Sequence, residues 1–192
     1  MSALTADQRR RQYLTAALRE FVAKGYHGTS TRSICATAGT SPGLLFHYFA
    51  SKEALYDELV SLGCRHLAFD LDEALADPLA FFHHSAESSL AMVRENPEAA
   101  LMFTFMTSAQ RSIGVTPGSA ELLRSHNIAV LSVPVIEAGQ ASGAIRDGDP
   151  LALSIAFWGA IQGIAEDLGI RTDTACVPDP SWLLDILRSQ DL

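Results

Sequence analysis

The chain has 192 residues, of which 48% are hydrophobic, 19% charged and 8% aromatic, and its formal net charge is −8. That composition excludes a disordered chain, which lacks the apolar residues for a core, while Cys35, Cys64 and Cys176 are too few and wrongly spaced for a disulfide scaffold or a C-x-x-C metal site. The longest apolar stretch, 151–165, is interrupted by Ser154 and Gln162 and falls short of the roughly 20 residues of a bilayer span, so with no apolar secretory signal at the N-terminus the expectation is a reduced, soluble, cytoplasmic protein with no membrane partner.

The charge is unevenly placed. Residues 1–60 hold seven basic and five acidic side chains, a net +2, and the remaining 132 hold seven and seventeen, a net −10. A basic head on an acidic body suits a head that meets an anion.

Along the chain the apolar spacing is helical almost everywhere and nowhere alternates with period two. Tyr13, Ala17, Leu18, Phe21 and Val22 form one stripe, which Gly25 ends. Thr29 and Ser30 can cap a short helix through Ala38. Gly39-Thr40-Ser41 is a turn, and Pro42 opens a second short helix. Ser51 caps a long helix with Leu55, Leu59, Leu62, His66 and Phe69 on one face. Asp77-Pro78 begins another, with Leu79, Phe82, His83, Ala86, Leu90 and Val93 facing inward, and Asn96-Pro97 starts the next. After a loop at 114–118, a helix from about Ser119 is expected to kink at Pro134. Residues 143–150 connect to a helix over 151–170. A turn at 177–180 and a last helix from Trp182 to Arg188 close the chain. The predicted class is all-α.

Residues 29–49, T-S-T-R-S-I-C-A-T-A-G-T-S-P-G-L-L-F-H-Y-F, have the layout of a helix-turn-helix. Gly39 permits the reversal, and Ile34, Ala38 and Leu45 fill the small core between the two helices. In such a motif the second helix enters the major groove and the first crosses the backbone.

Residues 9–60 resemble the DNA-binding domain of the tetracycline-repressor (TetR) family. The matching runs are F-V-A-K-G-Y at 21–26, T-S at 29–30, A-G-T-S at 38–41 and G-L-L-F-H-Y-F-A-S-K-E-A-L at 43–55. The resemblance implies a three-helix helix-turn-helix domain over residues 1–50, followed by a helical effector-binding and dimerisation domain over 51–192. It places Thr29, Thr31 and Arg32 where family members touch phosphate, and Ser41, Pro42, Gly43, Leu44, His47 and Tyr48 in the recognition segment. Lys52 falls where the family lysine contacts the backbone. Ile34, Leu45, Phe46 and Phe49 read as core.

Two departures from the family pattern stand out. Ser33 replaces the usual acidic residue, so a reciprocal capping box with Ser30 is expected to be weak. Residues 40–50 contain no Arg or Lys, so the arginine–guanine fork is absent there. Base reading would then fall to Ser41, Leu44, His47 and Tyr48. Affinity would rest on Arg9, Arg10, Arg11, Arg32 and Lys52 through counterion release, with a steep salt dependence.

One such head reads too few bases, so pairing into a homodimer on double-stranded operator DNA is expected. Ala152, Ala156, Gly159, Gly163, Glu166 and Ile170 share one side of the helix over 151–170, and the small residues there allow another helix to approach closely. Leu151, Ser154, Trp158, Ile161 and Ala165 share the other. The alternative is packing against Trp182, Leu183 and Ile186 within the chain. The resemblance favours Ala152, Ala156, Gly159 and Gly163 as a dimer interface, since the family's C-terminal helices form a four-helix bundle between subunits.

His66, His83 and His126 fall within apolar stripes, where an inward ring needs a partner. The resemblance opens an effector pocket among these helices, with Phe69, Phe82, Met102, Phe103, Phe105, Met106 and Trp158 as apolar walls. Three readings of the histidines stay open: bonds to protein, contact with a small apolar or aromatic effector, or metal. No H-x₃-H spacing supports metal, and no cofactor is expected. No nucleophile elbow, P-loop, dinucleotide fingerprint or H-E-x-x-H motif is present, so an enzyme is not expected. The leading expectation is a ligand-responsive repressor. A metal- or redox-sensing regulator with the same head, or a helical enzyme, is the alternative.

Overall fold

The computed structural model describes residues 5–111, 115–170 and 176–189. Among these residues lie twelve helices and no strand beyond one isolated bridge, Ile145 to Arg188. Gly114, at the start of the loop expected at 114–118, lies outside the described residues. The chain forms two compact units, residues 1–66 with 101–125 and residues 67–100 with 126–192. The first unit therefore runs past residue 50, where the sequence placed a boundary.

In the first unit, α1 (Ala6–Gly28) starts at a Thr5/Gln8 capping box and kinks at Gly25, whose φ of 67° and ψ of 174° suit glycine almost alone. It is followed by α2 (Thr31–Thr37), α3 (Pro42–Leu45) and α4 (Lys52–His66). The core consists of Tyr13, Ala17, Leu18 and Phe21 of α1, Ile34 and Cys35 of α2, Leu45, Phe49, and Leu55, Leu59 and Val60 of α4. Helix α7 (Pro97–Arg111) contributes Phe105, Met106 and Ala109 to it, and α8 (Pro117–Ser125) packs on α4. At α8 the side chain of Asp57 accepts the Thr116 hydroxyl, which also accepts the Ser119 N–H at 3.0 Å and so caps the helix.

In the second unit, α5 (Leu71–Ala76) and α6 (Pro78–Glu95) are followed by α9 (Ile128–Leu131), α10 (Val133–Ala141), α11 (Pro150–Ile170) and α12 (Pro180–Leu184). Helix α6 buries Phe82, Ala86, Leu90 and Val93 and packs on α11 and α12, with Phe82 against Phe157, and α11 buries Ser154, Phe157, Ile161, Ala165 and Leu168. Gly139 lets α10 lie so close to Ile145 that a Cβ would stand 2.4 Å from its Cδ1. By length and composition α11 could cross a bilayer, but one of its faces is packed on this unit's other helices.

Two expectations about the helices are corrected. The helix from Ser51 stops at His66, and α5 is a separate element because the Asp70 carboxylate caps it by accepting the Glu73 N–H. Pro134 does not kink a helix but opens one: it sits in the first turn of α10, where its missing N–H has no intrahelical partner to lose. Asn127 caps α9 by accepting the Ala129 N–H, so the continuous helix expected from Ser119 is three.

Candidate nucleic-acid interface

The head is built outward from Glu20, which is almost fully buried on α1. Its carboxylate accepts from Lys24 Nζ at 2.7 Å and from the Thr37 hydroxyl of α2 at 2.8 Å. The Lys24 hydrogen bond, then those from Ser33 and Thr37, hold its pKa down to about 2 against the opposing effect of burial. Gln12 of α1 donates to the Ala38 carbonyl at 2.7 Å, fixing the turn that Gly39 (φ 63°) completes. Helix α2 begins with a complete capping box: Ser30 Oγ accepts the Ser33 N–H at 3.0 Å, and Ser33 Oγ accepts the Ser30 N–H at 3.2 Å. The weak cap expected from the missing acid is thus corrected, because a serine hydroxyl also reaches back to the N-cap backbone.

On this frame the recognition segment faces solvent. Ser41, Pro42, Gly43 and His47 are exposed, and Leu44 and Tyr48 are half-buried. Leu45 and Phe49 point into the core, 0% and 3% exposed, but Phe46 is 53% exposed. Phe46, expected in the core, is corrected to the surface. Helix α3 lasts only to Leu45 and then tightens into turns, so the residue after Leu45 is rotated away from the core. Phe46 therefore adds an apolar side chain to the outer surface of this segment.

The residues expected at phosphates divide. Arg32 is exposed and Thr31 half-buried. Thr29 is 3% exposed, and its hydroxyl donates to the carbonyls of Gly25 and Glu20 at 2.8 and 3.0 Å. It is corrected from a phosphate contact to the brace of the Gly25 kink. Lys52 donates to the carbonyls of Tyr26 and Thr29, each at 2.9 Å, with its ammonium 4.0 Å from the Tyr26 ring centroid. It ties the start of α4 to the link between α1 and α2. Arg10 pairs with Glu58 and lies 4.6 Å from the Phe49 ring centroid, so its charge is already met. Arg9 donates to Gln12, a neutral partner, and Arg11 is exposed. Sequence reasoning did not single out Glu20, Gln12 or Glu58. Apart from the i,i+4 pair of Glu20 with Lys24, their partners lie 17 to 48 residues away, and no local pattern records such pairs.

The expected effector residues also divide. His66, Met102, Phe103 and Met106 belong to the first unit, and Phe69, Phe82, His83, His126 and Trp158 to the second. His66, His83 and His126 are exposed, which corrects their inward assignment. His66 ends α4, His83 is turned about 100° from buried Phe82, and His126 lies between α8 and α9 rather than within a helix. Among the described residues no group of three His, Cys, Asp or Glu could hold a metal. In the second unit Phe69, Phe81, Phe82, Phe157 and Trp158 form an aromatic cluster with neighbouring centroids 4.7 to 6.5 Å apart. Trp158 Nε1–H donates to Ser132 Oγ at 2.9 Å, and Ser132 Oγ lies 2.8 Å from Ser154 Oγ. Ala152, Ala156, Gly159 and Gly163 lie together on the exposed side of α11. Leu151, expected on the inner side, is 40% exposed, because Leu153 rather than Leu151 turns toward the packed face at the start of the helix.

Residues 14–59 match the sequence profile of bacterial regulatory proteins, tetR family. The chain is 29% identical over 165 residues to the HTH-type transcriptional regulator RutR of Escherichia coli strain K12, a match covering 82% of this chain and 74% of RutR. It is 29% identical over 132 residues to UidR of the same strain, covering 65% of this chain and 62% of UidR. The fold superimposes on PfmR, a TetR-family regulator from Thermus thermophilus, with a TM-score of 0.72 and 22% identity over 94% of this chain and 99% of that one. A buried three-helix core that turns the segment from Ser41 to Tyr48 outward, together with these likenesses, identifies residues 14–59 as a helix-turn-helix domain of the tetR family type, in a chain similar to bacterial transcriptional regulators.

Proposed function

We propose that this regulator acts as a homodimeric repressor which grips double-stranded operator DNA through Thr31, Arg32, Ser41, Pro42, Gly43, Leu44, His47 and Tyr48, and which a small apolar or aromatic effector releases. The observation that carries the reading is the outward recognition segment on a braced core, with Arg32 exposed at the start of α2 and, among the described residues, no acidic partner at Arg9 or Arg11. Phe46 joins this surface as an apolar contact suited to thymine methyl groups.

The exposed side of α11 supports dimerisation. Ile155 and Ile170 are 54% and 84% exposed, and a Cβ added at Gly159 or Gly163 would meet nothing within 4 Å. An apolar face flanked by small residues is costly to leave in water and easy to bring against a second copy. Two heads on a dimer reach half-sites about 34–36 Å apart. For the effector, support comes from the second unit's aromatic cluster of Phe69, Phe82 and Trp158, where the Ser132–Ser154 pair supplies polar atoms beside the rings. A coupling of about 1–3 kcal/mol between effector and DNA suffices for release.

Fluorescence anisotropy on DNA from the region upstream of the coding sequence, against a scrambled duplex, tests the head. Two protomers per native duplex and weaker binding to the scrambled one are expected. Sedimentation of Gly159→Arg tests the dimer: the variant should run as a folded monomer. A Gly159→Arg protein that remains dimeric removes α11 as the interface.

A further inference from the structure

A cleft of about 390 Å³ opens in the first unit where the kinked end of α1 passes α4 and α7. That volume is within the range of small-ligand sites. Four rings, Phe21, Tyr26, Tyr56 and Phe105, form its floor, with touching pairs 5.1 to 6.1 Å apart between centroids. Lys24 and Ser108, both exposed, stand at its rim. No Asp or Glu is among its lining residues, although the chain carries 22 acidic residues against 14 Lys and Arg. Gly25 and Gly28 leave one wall without side chains. Aromatic floor, basic rim and open backbone wall together select a planar ligand with one negative end.

We infer that this cleft binds a small aromatic carboxylate, its ring on the four-ring floor and its carboxylate on Lys24 Nζ, and that occupancy is felt in the recognition head. The site is separate from the aromatic cluster of the second unit. The route to the head is a chain of hydrogen bonds. Lys24 holds Glu20, Glu20 holds Thr37 of α2, and the Thr29 hydroxyl ties the Glu20 and Gly25 carbonyls together. An ammonium has three N–H groups, so Lys24 can take a second carboxylate. In doing so it shares its charge and loosens its hold on Glu20, and with it the seat of α2. Binding of the carboxylate stands on the cleft alone, whereas the effect on DNA rests on the regulator reading.

The test titrates the full chain with 1-naphthoate, followed by calorimetry, with 1-naphthalenemethanol and 1-naphthylmethylammonium as neutral and cationic controls. Saturable binding of the naphthoate and none of the controls is expected. Lys24→Ala should weaken it about tenfold, the loss of one charge-assisted hydrogen bond. Ser108→Trp, a surface change that fills the cleft, should abolish it, with circular dichroism showing both variants folded. Absence of saturable binding, equal binding of the alcohol, or unchanged affinity in both variants overturns the assignment. Operator anisotropy with and without naphthoate then reads the coupling. Naphthoate binding that leaves operator affinity unchanged overturns the coupling. Naphthoate binding by a protein that holds no operator sustains the cleft while refuting the regulator reading.

Discussion

The salt dependence of DNA binding offers the sharpest check on the head, because counterion release counts phosphate contacts. Each phosphate neutralised on duplex DNA contributes about −0.9 to the slope of log K against log salt. Arg32 is exposed at the start of α2 and forms no ion pair among the described residues, whereas Arg10 is already matched by Glu58. For a dimer, Arg32→Ala removes two contacts and should flatten the slope by about 1.8. Between about 50 and 200 mM salt, the wild-type advantage over the variant should shrink about twelvefold, which is the fourfold change in salt raised to that power. Arg10→Ala should leave the slope where it is and cost no more than about 1 kcal/mol of stability, as expected of a partly exposed ion pair. Anisotropy over a salt series on one duplex measures all three proteins. A slope change near 0.9 for Arg32→Ala would mean one head per duplex. If Arg10→Ala flattens the slope and Arg32→Ala does not, the assignment of free and paired cations is refuted.

Three further outcomes follow from the same frame. Glu20 titrates at about 2 in the folded head against an ordinary 4.5. It therefore adds stability above pH 4.5 that is lost as pH falls toward 2. The contribution is about 1–2 kcal/mol, reduced from the full shift because Lys24 is half in water. Glu20→Gln should flatten the acid limb of urea midpoints taken between those values, and an unchanged limb would count against the Lys24–Glu20–Thr37 network. Gly25→Ala should cost about 1–3 kcal/mol from the backbone alone, since an added Cβ meets nothing within 4 Å; a neutral result in urea unfolding would mean that the kink relaxes. The Tyr13 hydroxyl is buried with no hydrogen-bond partner among the described residues, so Tyr13→Phe should be neutral or stabilising by up to about 1 kcal/mol. A loss larger than that would point to a bound water at the ring.

The local signals in the sequence were sufficient for the elements of the head. Gly25 ends the regular part of α1, Ser30 and Ser51 cap the helices that follow, Gly39 reverses the chain and Pro42 opens the recognition helix. Each is a statement about backbone geometry within a few residues, and residue type alone determines it. The outward set Ser41, Pro42, Gly43 and His47 followed from the family pattern for the same reason. Asp77 and Pro97 likewise marked the starts of α6 and α7.

The direction in which a side chain points, and what meets it, was decided by tertiary packing. A helix turns about 100° per residue, so ending α3 at Leu45 put Phe46 outside, and ending α4 at His66 left that ring in water. The five cations expected to carry the affinity, Arg9, Arg10, Arg11, Arg32 and Lys52, look alike in the sequence. Packing gives Arg10 to Glu58, 48 residues away, and Lys52 to two backbone carbonyls, and leaves Arg11 and Arg32 facing solvent. Residue type sets the charge a side chain carries, but only the three-dimensional neighbours decide whether that charge is spent inside the molecule or remains for DNA.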